Sequence, residues 1–391
     1  MNTPAWILGL PFIVSLLVTL AVVLKSRGQQ DHSRWHRWLR DHDMAGPQKF
    51  HAHPVPRVGG AGVALGLLAL CLWADAHNAD GLHPFLLLWL AALPVVVFGL
   101  AEDLTKRVSA LWRLMATFVS ALLALGLLGI AVVRTDIPGL DTLAQWAPAS
   151  VALTCLVVGG TAHAINIIDG FNGLASMCAM LMLAAIAYVA WQVGDTFVMQ
   201  WALACLAAVF GFFIFNYPAG LIFLGDGGAY LVGFVLAELI LLLVQRNPSV
   251  SPIFGLLVCA YPIFELVFSM YRRKFLHLKP SMAPDGIHLH SLIYRRLIRW
   301  AGGELSPRQS TYRNSMTSPF LWALCLLSIV PAIIWWQDSL MLGLFLFLFM
   351  GSYLFMYARI TRFKTPAWLK RFVPRHVPPA AAPLAQHHDQ G

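Results

Sequence analysis

Charge is scarce in this chain: only 12% of its 391 residues are Asp, Glu, Lys or Arg, against 59% hydrophobic. That balance excludes an ordinary soluble domain, in which about a quarter of the residues are charged. Loops long enough to fold alone are also missing. The longest connection between apolar stretches, 271–319, is rich in Arg, Lys and His and short of a domain's length. No internal repeat recurs, so the signature of an inverted-repeat transporter is absent. A disulfide framework is excluded too. Cys71, Cys155, Cys178, Cys205, Cys259 and Cys325 all fall inside apolar stretches, where they serve as small packing residues. The formal net charge of +9 accompanies no nucleic-acid module and fits membrane topology and anionic lipid headgroups.

What is present is a series of apolar runs, each near the ~20 residues that cross a bilayer as a helix. Eleven are read: Pro4–Leu24, Val58–Trp73, Phe85–Ala101, Ala110–Val133, Val151–Ile168, Gly173–Val193, Thr196–Phe215, Gly228–Val244, Ile253–Met270, Phe320–Trp336 and Leu340–Tyr357. The first has no basic residue before it and is read as a permanent helix, not a cleaved signal. The expectation is an all-α polytopic membrane protein. Basic residues collect on the cytoplasmic side. With the N-terminus outside and the C-terminus cytoplasmic, all 27 Lys and Arg except Arg134 and Arg246 fall on that side. Residues 1–357 form one multi-span unit with its core at 57–296. Residues 358–391 form a tail, basic and aromatic at first and then of a composition typical of disorder.

Under this topology four polar clusters share the cytoplasmic face. Glu102-Asp103 ends the third span; adjacent carboxylates at a bilayer boundary call for a cation or a proton, or simply end a solvated helix. Asn166-Ile-Ile-Asp169-Gly-Phe-Asn172-Gly173 joins the fifth and sixth spans. If the helix continues there, Asn166, Asp169 and Asn172 point one way toward a ligand; the alternative is a tight turn. Asn216-Tyr-Pro-Ala, then Gly225-Asp226-Gly-Gly228, leads into the eighth span. Asp226 there either caps the helix or holds a hard cation with substrate phosphate oxygens. Asp285-Gly-Ile-His288-Leu-His290, followed by Arg295 and Arg296, suits a pyrophosphate, a zinc pair or an ordinary loop. Together these carboxylates, imidazoles and basic residues describe a site for a metal-chelated diphosphate, where phosphoryl transfer needs positioning and positive charge more than covalent help.

At these residues the chain resembles the polyprenyl-phosphate N-acetylhexosamine-1-phosphate transferase family (glycosyltransferase family 4). Its bacterial members load undecaprenyl phosphate with GlcNAc-1-phosphate or phospho-MurNAc-pentapeptide. Arg57-Val-Gly-Gly-Ala-Gly62 resembles the family's Pro-Arg-x-Gly-Gly segment, Glu102-Asp103 its Asp-Asp pair, and the other three clusters its remaining motifs, in family order. Glu102 stands where the family usually has the Asp proposed to deprotonate the lipid phosphate, and Ala229 where a Ser often stands.

The resemblance implies transfer of a sugar-1-phosphate from a UDP-amino sugar to polyprenyl phosphate with release of UMP, at the bacterial inner membrane, by a homodimer. It also implies Mg2+, or Mn2+ in its place, on Asp226 with Asp103. Glu102, Asp103, Asp169 and Asp226 would be catalytic. Asp169, Asn172 and Asn216 would lie near the nucleotide, Arg57 and Asn166 would also bind substrate, and His288, His290 and Arg295 would hold the diphosphate. The rival expectation is a transporter of an anionic solute, with Glu238, Glu265 and His163 as its only midplane candidates. No residue read here selects the sugar.

Overall fold

The computed structural model describes residues 4–27, 55–78, 82–276, 287–298 and 307–362. Asp285 and the tail beyond Arg362 lie outside the described residues. The described residues form an all-helical membrane bundle. Its helices are α1 (Ala5–Arg27), α2 (Gly59–Ala76), α3 (Pro84–Ala91), α4 (Leu93–Thr105), α5 (Ala110–Leu128), α6 (Leu140–Ala144), α7 (Ala147–Ile168) and α8 (Leu174–Val193). They continue with α9 (Thr196–Asn216), α10 (Gly225–Arg246), α11 (Ile253–Val258), α12 (Ala260–Tyr271), α13 (Leu289–Ile293), α14 (Pro307–Ile334) and α15 (Ser339–Thr361).

Among the described residues, nine helices are long and apolar enough to cross a bilayer, and α3 with α4, bent by 43° at Ala92, makes a tenth. Pro94 lacks the N–H that a straight helix would bond here. The expected span over 253–270 is divided: α11 stops at Val258, and α12 restarts after Cys259 with Pro262 in its first turn. An apolar run reports hydrophobicity and is blind to such a break.

α10 is the axis of the bundle, with its apolar window wholly buried. It packs against α7, α4 and α2. Apolar residues on every face are what a helix needs when neighbours surround it completely. α1, α5 and α15 lie at the rim, turning residues such as Leu17, Leu122 and Phe347 outward, as lipid-facing helices do. Small residues allow the close approach at the axis: a Cβ at Gly60 would fall on the Gly228 backbone, and one at Gly99 on Gly227. The two basic residues outside the main group are both paired, Arg246 with Asp195 at 3.7 Å and Arg134 with Asp136 at 3.5 Å.

Candidate active site

The site is built on the first turn of α10. A helix N-terminus leaves its leading N–H groups without partners, and here two carboxylates from other spans take them. Asp103, at the end of α4, accepts from the N–H of Asp226 at 2.9 Å and of Gly227 at 2.8 Å. Asp169, just beyond α7, accepts from the N–H of Gly225 at 3.0 Å. Residues 56–60 lie against 223–224 like a short paired strand. Phe223 N–H donates to Pro56 (2.9 Å), while Gly59 and Gly60 N–H donate to the carbonyls of Phe223 and Leu224 at 2.9 and 2.8 Å. Three sequence motifs are thereby tied to the backbone of a fourth, residues 223–227. Asp103, read from sequence as a cation ligand, spends one acceptor position of each oxygen on capping; each oxygen keeps a second.

With its backbone held in this way, Asp226 turns its carboxylate toward positive charge. Arg113 Nη1 donates to Oδ2; Asn166 Nδ2 donates to Oδ1 at 3.0 Å, and Arg57 Nη2 lies 3.6 Å from the same oxygen. One turn along α10, the Tyr230 hydroxyl donates to Asn166 Oδ1 at 3.5 Å and lies 3.3 Å from His163 Nδ1. The Arg113 guanidinium sits over the Tyr230 ring at 5.9 Å. Sequence reading counted Arg113 only as a topology marker. Its signal was a charged residue one turn inside an apolar helix, which needs a partner. Burial pushes the Asp169 carboxyl up to about 6, while Arg57 and the Gly225 N–H pull the other way. Glu102 Oε2 accepts from Val108 N–H at 2.8 Å and secures the turn after α4.

Of the two readings of the Asn166–Gly173 segment, a continued helix pointing Asn166, Asp169 and Asn172 one way or a tight turn, the structure takes the turn. α7 ends at Ile168, Asp169 leaves helical geometry, and Gly173 takes a left-handed φ of 72°. Asn172 therefore turns into the protein. Its N–H donates to Asn314 Oδ1 at 2.9 Å, its Nδ2 to Ser315 Oγ at 3.0 Å, and its carbonyl accepts from Ser318 Oγ at 2.6 Å. Asn216 is likewise occupied: Oδ1 accepts from Gly173 N–H (2.6 Å) and Ser176 Oγ (3.3 Å), and Nδ2 donates to the Ile222 carbonyl (2.8 Å). An amide that both donates and accepts ties two loops together as well as it reads a base. Asn216→Ala leaves the Gly173 N–H and Ile222 carbonyl unpaired in a buried place, at a cost of about 1–3 kcal/mol each. The expected outcome is a thermal unfolding midpoint several degrees lower in detergent; an unchanged midpoint would remove the strut role.

The histidine segment covers the same place. The His290 ring meets Phe171 edge-on at 5.4 Å and lies beside Gly170, while His288 stacks on His290 with centroids 5.1 Å apart. Both are buried, and Glu265 from α12 lies 2.9 Å from His288 Nδ1. Arg296 donates to the carbonyls of Ile360 and Thr361 at the end of α15, while Arg295 is exposed beside it. Glu265, named from sequence as a midplane candidate of the transporter alternative, is the second participant whose role the motifs did not reveal.

Comparison with known proteins follows the same lines. Residues 85–244 match the model of glycosyl transferase family 4. The probable undecaprenyl-phosphate N-acetylglucosaminyl 1-phosphate transferase of Bacillus subtilis (strain 168) is 26% identical over 249 residues, 63% of this chain and 68% of that protein. The undecaprenyl-phosphate alpha-N-acetylglucosaminyl 1-phosphate transferases of Salmonella typhi and Escherichia coli (strain K12) are 29% and 28% identical, each over 63% of this chain and 67% of theirs. The transporter expectation falls with these relatives. Its supposed pathway has also dispersed: Glu265 is tied to His288, His163 to Tyr230, and Glu238 is buried with no hydrogen-bond partner among the described residues. A family match over the bundle's centre, transferases as relatives and four motifs converging on one helix N-terminus make this chain a membrane-embedded transferase similar to glycosyl transferase family 4.

Proposed function

We propose that the chain transfers an N-acetylhexosamine 1-phosphate, or a deoxy relative, from a UDP-sugar to undecaprenyl phosphate, releasing UMP and starting assembly of a cell-envelope glycan. The observation that carries this reading is the Asp226 carboxylate, buried at a glycine-rich helix N-terminus and faced by Arg57, Arg113 and Asn166. The relatives are named for the same transfer to undecaprenyl phosphate.

An oxygen of the lipid phosphate attacks the phosphorus bonded to the sugar. A new P–O bond forms there as the bond to UMP breaks, so one phosphoanhydride replaces another. The lipid phosphate must be ionised to attack; Glu102, at the rim of the site, is the side chain proposed to take its proton. Arg57 and Arg113 bring two guanidinium groups to bear on the phosphate oxygens, whose charge shifts as the bond changes hands. His288 and His290 lie against Gly170 and Phe171 and are proposed to hold the diphosphate from the opposite side.

The donor set also fits a hard cation. Asp226, Asp103 and Asp169 offer oxygen alone, as Mg2+ prefers, and the proposed ligands are Asp226 and Asp103. Among the described residues no group of three or more His, Cys, Asp or Glu is placed to hold a metal ion, so substrate phosphate would have to supply part of the ion's shell. When bound, Mg2+ or Mn2+ would neutralise phosphate charge. The active site is assigned to the cytoplasmic face of the bacterial inner membrane by the distribution of Lys and Arg, and a homodimer is carried over from the family resemblance.

Purified protein with Mg2+, undecaprenyl phosphate and a panel of UDP-N-acetylhexosamines tests the reading by UMP release and label in extractable lipid. Labelling from one donor, lost with EDTA and restored by Mg2+, is the expected result. A folded protein that neither labels lipid nor binds any UDP-sugar would overturn the reading. A burst of UMP without lipid would favour a covalent acyl-phosphate route over direct attack.

A further inference from the structure

Glu265 lies in the middle of an apolar helix and is 1% exposed, a place where an unbonded carboxylate oxygen is costly. Both of its oxygens are bonded. Oε1 accepts from the Leu289 N–H at 3.0 Å and lies 2.9 Å from His288 Nδ1; Oε2 accepts from the Tyr353 hydroxyl of α15 at 2.7 Å. The partners come from two other parts of the fold, the histidine segment and the last helix. Both ends of that link are reinforced. The Tyr357 hydroxyl donates to the Ile287 carbonyl at 3.3 Å, and Arg272 Nη1 donates to Tyr357 at 2.9 Å.

An ionised carboxylate only accepts hydrogen bonds, and two donors besides the imidazole already point at this one. The nitrogen of His288 nearest to it must then carry a proton. In a neutral imidazole with its proton on Nδ1, Nε2 bears the lone pair; in an imidazolium both nitrogens donate. No described residue hydrogen-bonds His288 Nε2. Among the described residues, the other ionisable groups around the pair are His290, Tyr261, Tyr353, Tyr357 and Arg272, and Glu265 is the one carboxylate there that faces this ring.

We propose that Glu265 is a positioning residue for the reaction: held by Tyr353 of the C-terminal helix, it fixes the proton of His288 on Nδ1 and leaves Nε2 as the nitrogen that meets the substrate. The identity of that substrate rests on the transferase reading; the tautomer does not. The consequence is that α15, which lies outside the residues matched by the family model, belongs to the machinery of the site.

The test is 15N NMR of histidine-labelled protein in detergent at a pH where the ring is neutral, with the His288 signal identified by its loss in His288→Asn. The expected wild-type signature is the Nδ1-protonated tautomer. It should persist in Glu265→Gln, whose amide oxygen still accepts, and give way to the Nε2-protonated form in Glu265→Leu. Turnover should follow: kcat falls about 10–100-fold in Glu265→Leu, the range for loss of a histidine's orienting partner, with a smaller fall in Glu265→Gln and little change in KM for the lipid. Wild-type His288 protonated at Nε2 overturns the inference with no variant needed. So does an unmoved tautomer and kcat in a folded Glu265→Leu. Should that variant not fold, the wild-type and Glu265→Gln spectra decide. Absence of wild-type turnover would count against the transferase reading and leave the tautomer result standing.

Discussion

Asp226→Asn is expected to lower UMP release at least about a hundredfold, the scale set by removing one preorganised charge or dipole from a reacting centre. The substitution keeps shape and removes charge. In the native site the carboxylate accepts from Arg113, from Asn166 and, more distantly, from Arg57. An amide has one acceptor oxygen, so its NH2 must face either the Asn166 amide group or Arg113, both of which donate. Two guanidinium groups are then left beside a neutral side chain, and the preferred oxygen ligand for a hard cation is gone. The backbone of residue 226 is still held by Asp103, so the helix N-terminus should keep its form. Thermal midpoint and UMP release measured on one preparation separate the two effects. Activity within tenfold of wild type, in folded protein, would move the reaction away from Asp226. Asp103→Asn should behave in the opposite sense and lose stability first, because its NH2 would confront one of two backbone N–H donors.

That contrast between Asp103 and Asp226 marks where sequence reading stops. Both are acidic residues at helix ends beside glycine or charge, and nothing in spacing separates a carboxylate that caps a neighbouring helix from one that faces substrate. The helices themselves were legible, because an apolar run of spanning length leaves the backbone few alternatives in lipid. The interruption at Cys259 was not, since hydropathy is the same on either side of it. In sequence the Asn166–Gly173 segment is open between a continued helix and a tight turn for a definite reason. Its i, i+3, i+6 spacing is helical, yet the chain leaves the helix at Asp169 and takes a left-handed φ at Gly173, so Asn172 turns toward α14. Arg113 and Glu265 carried a readable signal, a charge within an apolar helix, but their partners Asp226 and His288 lie far along the chain and only folding identifies them. The pairing of residues 56–60 with 223–224 had no local signature at all, because its hydrogen bonds are entirely backbone.

Gly225→Ala is expected to have the second-largest effect, acting on structure and activity together. Gly225 has a φ of 74°, a region in which a Cβ costs about 1–2 kcal/mol. A Cβ built there would also contact the Arg57 carbonyl and lie 2.6 and 2.8 Å from the two Asp103 carboxylate oxygens. Those atoms cannot withdraw without loss. The Arg57 carbonyl belongs to the chain paired with 223–224, and the Asp103 oxygens hold the N–H groups of Asp226 and Gly227. Overpacking of this kind typically adds about 1–3 kcal/mol, and the displaced cap turns Asp226 away from Arg113. Gly343→Ala on α15 is the matched control. No atom lies within 4 Å of its would-be Cβ, and its helical interior position should favour Ala by about 0.5–1 kcal/mol. The midpoint should therefore fall by several degrees in Gly225→Ala, with UMP release largely lost, and hold or rise in Gly343→Ala with release intact. Equal midpoints and equal activities in the two variants would show that the close contact of Arg57, Asp103 and Gly225 is dispensable, and with it the account of how three distant motifs are held as one site.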